Sequence, residues 1–304
     1  MDLAYLRSHP GQLPTFLTHQ RIRETPVPGG SICAALRLTL EDGVSVFAKT
    51  WPTPPGSREG GPAALGTPPD GFFEAEGAGL AWLAAAGAPV PPVIAALPQL
   101  IALEWVEPGA PSAEHARRLG AALAGLHAAG AEAFGTRQPG YIGALPLDPT
   151  TSAGPWADWF AAARLAPYLR LSTDNGALSG ADVRAVERLL SDIGEYAGPA
   201  EPPARIHGDL WPGNVLWGTA QAWLVDPAAQ GGHRETDLAT LTLFGGAPFL
   251  AEIIEGYEQV TPLAEGWRRR VPLHQLHLLL VHTALFGAAY RGQVLSAVRA
   301  TVER

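Results

Sequence analysis

The chain of 304 residues predicts an α+β fold in two lobes: a small antiparallel β-sheet with one helix, then a larger, mainly helical lobe. Three observations predict it. Two runs of branched apolar residues, 32–40 and 44–50, are joined by Glu41-Asp42-Gly43, and Asp-Gly between strand-like runs is a strong hairpin signal. One helical pattern follows at 72–86. Beyond Glu107-Pro108-Gly109 the apolar spacing is helical almost throughout.

In chain order, Lys49 falls near the end of the second strand. The stretch 52–69 is too dense in Pro and Gly for regular structure and reads as a surface connection. In 72–86, spacings of three and four put Phe73, Glu76, Leu80 and Leu83 on one face, and a carboxylate on an apolar stripe requires a cation. Two short strands are expected at 91–97 and 100–106. Helices are expected at 112–129, 155–171, 180–193, 235–244, 248–259 and 272–290, the first with a start signal from Pro111, Ser112 and Glu114. Short strands at 215–217 and 222–225 interrupt them. The natural division is 1–106 and 107–304, hinged near 107, with a cleft between the lobes for a small ligand.

Composition narrows the function. The 21 basic residues are 20 arginines and one lysine, Lys49, and asparagine occurs only at Asn175 and Asn214. A lone lysine in such a chain is either a survivor by chance or a position where a compact ammonium serves and a planar guanidinium does not. A net charge of −8 and a pI near 5.6 argue against a nucleic-acid partner, and the local cluster of Arg268, Arg269 and Arg270 reads as a solvated helix end. The single cysteine, Cys33, excludes an internal disulfide framework and reads as a small buried hydrophobe. The first residues show no secretory pattern, and the apolar stretch 276–290 is shorter than a membrane span. A cytoplasmic protein without membrane partner, monomeric rather than oligomeric, is the expectation.

The strongest local signal is His207-Gly208-Asp209-Leu210-Trp211-Pro212-Gly213-Asn214, followed by Asp226-Pro227. Four residues between Asp209 and Asn214 is the spacing of a phosphotransferase catalytic loop, in which Asp accepts the hydroxyl proton and Asn ligates magnesium. Asp226 stands where a second metal-binding aspartate belongs. Singly, the three could cap a turn, occupy a left-handed position and end a strand; together with a strand lysine they point to ATP chemistry. His274, His277 and His282 read as core or surface histidines, and Trp156 and Trp159 as packing residues.

With Pro28-Gly29-Gly30-Ser31-Ile32-Cys33, the helix from Phe72 and the segment from Asp226 to Ala239, these motifs resemble the fructosamine/ketosamine 3-kinase family, in the protein-kinase-like and aminoglycoside-phosphotransferase superfamily. The resemblance implies ATP and Mg2+ as cofactors and phosphorylation of the 3-hydroxyl of a ketosamine. Aminoglycoside- or choline-type phosphotransfer, or a non-catalytic nucleotide-binding module, are the alternatives. It also implies that Lys49 contacts the α/β-phosphates and pairs with Glu76, Glu74 being the second choice. Asp209 would be the catalytic base, Asn214 and Asp226 the metal ligands, and Glu104, Trp105 and Val106 the hinge that holds adenine. Gly29, Gly30 and Ser31 would lie over the phosphates, and Trp211, His233 and Glu235 would face the acceptor. Asp237 is open between a role in this segment and capping the helix that begins there. The chain departs from the family in carrying Ser31 and Cys33 where cysteine and a polar residue are common.

Overall fold

The computed structural model describes residues 3–13, 15, 22–30, 32–52 and 67–303. The expected connection at 52–69 falls largely outside the described residues, as does Ser31. The first lobe contains α1 (Leu3–Ser8), β1 (Arg23–Pro26), β2 (Ala34–Thr39), β3 (Ser45–Thr50), α2 (Phe72–Ala84), β4 (Val93–Leu97) and β5 (Leu100–Glu104). The strands form an antiparallel sheet of order β1-β2-β3-β5-β4, so the lysine-bearing strand is central. Period-two alternation gives that sheet two apolar faces. Val46 and Ala48 join Leu38, Ile94 and Ala102 in one cluster, while Phe47 and Lys49 turn to the other side, toward the cleft. There α2 packs with Phe73, Leu80 and Leu83 fully buried.

The second lobe runs through α3 (Ala113–Ala128), β6 (Gly140–Ile142), β7 (Leu145–Leu147), α4 (Trp156–Trp159), α5 (Ala166–Asp174), α6 (Gly180–Ser191), α7 (Ile193–Tyr196), β8 (Ala204–Ile206), β9 (Val215–Trp217), β10 (Ala222–Leu224) and β11 (Gln230–Gly232). It ends with α8 (Glu235–Thr240), α9 (Leu250–Glu258), α10 (Trp267–Phe286) and α11 (Arg291–Val302). Ser112 caps α3, its hydroxyl accepting the His115 amide at 3.2 Å. Between α4 and α5 the helix widens into a π-turn at Phe160–Leu165. α10 begins at Trp267, ahead of Pro272, and carries the lobe's core through Leu273, Leu276 and Leu280.

By length and composition, Trp267–Val302 could cross a membrane, yet half of its apolar window is packed inside the lobe. Trp156 and Trp159 pack in that core as expected, Trp156 stacking on Phe160 with ring centroids 4.5 Å apart.

Candidate active site

The lobes enclose one large cleft of about 1740 Å³, roofed by the sheet and α2 and floored by the segments around Asp209 and Asp226. Its size suits a nucleotide and an acceptor together. On the roof, Lys49 Nζ lies 2.7 Å from Glu76 and 2.8 Å from Asp226, joining both lobes through one ammonium. Glu76 is buried on the apolar face of α2, so the cation its position demanded is Lys49. Burial alone would disfavour the Lys49 ammonium, but Asp226 and then Glu76 hold it firmly protonated. Asp226 is kept below its ordinary range, burial raising its pKa but the Lys49 charge outweighing that. Its backbone is left-handed, φ 56°, a region few non-glycine residues occupy, aspartate being among those that do.

On the floor, Asn214 Nδ2 donates to the Asp209 carbonyl at 2.8 Å and to its carboxylate at 3.2 Å. The Asp209 carboxyl is pushed well above the usual carboxylate range, by burial first and by the neighbouring Asp226 charge second. Trp211 lies across this loop. A Cβ on Gly213 would sit 2.0 Å from its ring, so glycine is what lets the indole occupy that place. Gly29 and Gly30, with φ of 110° and 76°, form the described part of the turn beside the cleft, and Glu104, Trp105 and Val106 line its edge. Cys33 also lines the cleft, its thiol pushed up to about 11 by burial, the opposite of a reactive thiolate.

Behind the loop stands Asp237, whose importance the sequence left open. It is no cap: Arg234 precedes the first turn of α8, and Asp237 is fully buried inside it. Its carboxylate accepts the backbone N–H of His207 at 2.7 Å and of Gly208 at 3.0 Å, and His127 Nε2 at 3.2 Å. His207 in turn donates Nε2–H to the Val225 carbonyl at 2.9 Å. Asp237 and His207 thereby tie the Asp209 loop to the strand that delivers Asp226.

Two expected acceptor contacts need correction. His233 and Glu235 do not line the cleft among the described residues; they are 2% and 1% exposed, behind the loop. The residue the sequence read as part of a solvated helix end, Arg270, explains this: it is buried and grips Glu235 through two hydrogen bonds of 2.6 and 2.8 Å. His233, Glu235 and His274 place ligand atoms within 4.8 Å of one another, but a metal there would have to displace the Arg270 guanidinium from both carboxylate oxygens.

This network predicts acid sensitivity. Burial holds His233, His274 and His277 below the ordinary imidazole value. Unfolded imidazoles, near pKa 6.5, would take up protons these do not, so stability is present above that value and is lost as the pH falls through it. Burial would raise Glu235, but the Arg270 hydrogen bond and then His274 bring it to about 2, so its share is lost from about 4.5 downward. Urea midpoints should fall between pH 7.5 and pH 5 and again toward pH 3; a flat profile would contradict the assignment. Arg270→Ala should cost about 3–5 kcal/mol at pH 7, because it leaves a buried carboxylate unpaired.

A strand lysine held by a helix glutamate, over a loop carrying Asp209 and Asn214 and beside Asp226, on a bilobal α+β scaffold, defines a protein-kinase-like phosphotransferase acting on a hydroxyl group. The chain belongs to the fructosamine kinase family, whose model matches residues 15–304. It is 35% identical over 232 residues to a probable ketoamine kinase of Enterococcus faecium, covering 74% of this chain and 80% of that one. A second probable ketoamine kinase, from Thermus thermophilus, is 35% identical over 77% of this chain and 84% of its own. Among solved structures, a provisionally assigned fructosamine-3-kinase of Thermobifida fusca superposes with a TM-score of 0.84 at 46% identity, covering 95% of this chain and 97% of that one. An aminoglycoside phosphotransferase with AMP-PNP and hygromycin B bound, at 17% identity and a TM-score of 0.62, shows the shared fold alone.

Proposed function

We propose that the chain transfers the γ-phosphoryl group of ATP to the 3-hydroxyl of a ketosamine, giving a product whose sugar–amine linkage is weakened and so promoting deglycation. The observation that carries this reading is the convergence of Lys49, Glu76, Asp209, Asn214 and Asp226 on one cleft, in a chain of the fructosamine kinase family. The acceptor oxygen attacks the γ-phosphorus, the bond to the bridging oxygen breaks, ADP leaves, and Asp209 accepts the hydroxyl proton. Lys49, held between Glu76 and Asp226, sits where it can meet the α/β-phosphates, with Gly29 and Gly30 above them and Glu104, Trp105 and Val106 along the adenine edge. Trp211 offers its indole face to the acceptor. The transition state is loose, so position and charge neutralisation matter more than strong basicity.

The donor set fits Mg2+: Asn214 and Asp226 offer hard oxygen ligands, and the Asp209 carboxyl lies near enough to Asp226 to be raised by its charge. Bound there, the ion would supply charge neutralisation for the triphosphate and relieve the repulsion between Asp226 and Asp209. We place the division between the lobes at 106/107, just past β5. Use of ATP fits a cytoplasmic site of action, and the acidic chain fits a monomer acting on small or protein-borne ketosamines without nucleic acid or membrane. ADP release should appear with fructosamines or ribulosamines and exceed that with aminoglycosides or choline. Turnover with the latter and none with any ketosamine would overturn the reading.

A further inference from the structure

On the acceptor side of the cleft, five rings form one continuous wall. Trp211 meets Phe244 edge-on with centroids 5.8 Å apart; Phe244 lies 4.9 Å from His282 and 5.9 Å from Tyr290; Phe286 lies 5.5 Å from His282. All five line the cleft, and the charged residues that line it with them, among them Asp209, Asp226 and Glu132, come from other segments. Phe244 is held in a left-handed backbone, φ 52°, ahead of Gly245 and Gly246 at 101° and 81°. It is nonetheless 38% exposed, so strain is maintained to present a ring to the cleft, not to bury it. His282 donates Nδ1–H to the Leu278 carbonyl at 2.7 Å, which leaves Nε2 as a lone-pair acceptor.

An uncharged wall of π faces with one imidazole acceptor suits a specific partner. A flat sugar face needs one ring, whereas a cation that has lost part of its water is stabilised by several. A ketosamine differs from its parent sugar by a protonated secondary amine, and in a site without a carboxylate on this wall that charge would be met by ring faces and by N–H donation to His282.

We infer that Phe244, Tyr290 and His282 are the specificity determinants that select the cationic amine of the ketosamine. The inference rests on the ketosamine kinase reading above and deepens it.

The test pairs an N-alkyl fructosamine, protonated at pH 7, with the isosteric 1-O-alkyl fructose, each phosphorylated with MgATP by the wild type, Phe244→Leu, Tyr290→Leu and Phe244→Tyr. The wild type should show a KM for the amine about tenfold below that for the ether. Phe244→Leu and Tyr290→Leu should each raise the KM for the amine about fivefold and that for the ether less than twofold. Phe244→Tyr should restore the difference. Should one leucine variant fail to fold, the other decides.

Equal rises in KM for amine and ether, or an effect on kcat alone, would overturn the inference and leave the ketosamine reading standing. Turnover of other alcohols, with no turnover of any ketosamine by the wild type, would overturn both.

Discussion

Asp209→Asn should lower kcat by roughly 10³-fold while leaving ATP affinity within about threefold. The substitution keeps the shape of the loop. The Asn214 side chain still has the Asp209 carbonyl to donate to, at 2.8 Å, and the backbone N–H of His207 and Gly208 still reach Asp237. What it removes is the carboxylate proposed above to take the acceptor's proton. Because the Asp209 carboxyl is held high by burial and by Asp226, it is a group poised to gain a proton, and an amide in its place gains none. In the proposed site nucleotide affinity would come from the other lobe and from Asp226, so titration with an ATP analogue separates the two effects. A variant that lost binding and turnover together would place Asp209 in the nucleotide site.

Lys49→Arg should lower kcat/KM about 100-fold in a chain that still folds. The ammonium makes two contacts below 3 Å, one to each lobe, in a buried slot on a central strand. A guanidinium is wider and planar; it can satisfy Glu76 and Asp226, but only by standing further from one of them and shifting the position its charge offers to the phosphates. Since β3 is pinned on both sides by β2 and β5, the backbone cannot move to compensate. Near-normal turnover in this variant would make the retention of one lysine among 20 arginines a matter of chance.

The parts of this site that the sequence discloses are those fixed locally. Asp209 and Asn214 belong to one short loop, and the distance between them is a property of that loop. Glu76 disclosed its need for a cation, because a carboxylate at helical spacing among Phe73, Leu80 and Leu83 is costly unpaired; that the cation is Lys49 was implied by the family resemblance. The same locality made the hairpin of β2 and β3 and the cap at Ser112 legible.

What escaped depends on residues far apart in the chain. Asp237 holds the amides of His207 and Gly208 about 30 positions earlier, and nothing in its own neighbourhood distinguishes that from a helix cap. His233 and Glu235 follow Asp226 closely, yet whether they face cleft or core is set by Arg270 from another helix. The aromatic wall joins residues 211, 244, 282 and 290, and its key ring depends on a left-handed backbone at Phe244 that no periodicity announces. The strands β6, β7, β8 and β11 are three residues each, too short to carry an alternating pattern, and exist because a partner lies alongside.

The central claim is that Asp209 directs the γ-phosphoryl group of ATP to one hydroxyl of a ketosamine. The most direct measurement is phosphorus–proton correlation NMR of the product formed from fructosamine and MgATP. A single phosphomonoester coupled to the proton on carbon 3, formed by the wild type and lost with Asp209→Asn, is the predicted result. Phosphate on a different hydroxyl, or equal product from the Asp209→Asn variant, would contradict the account.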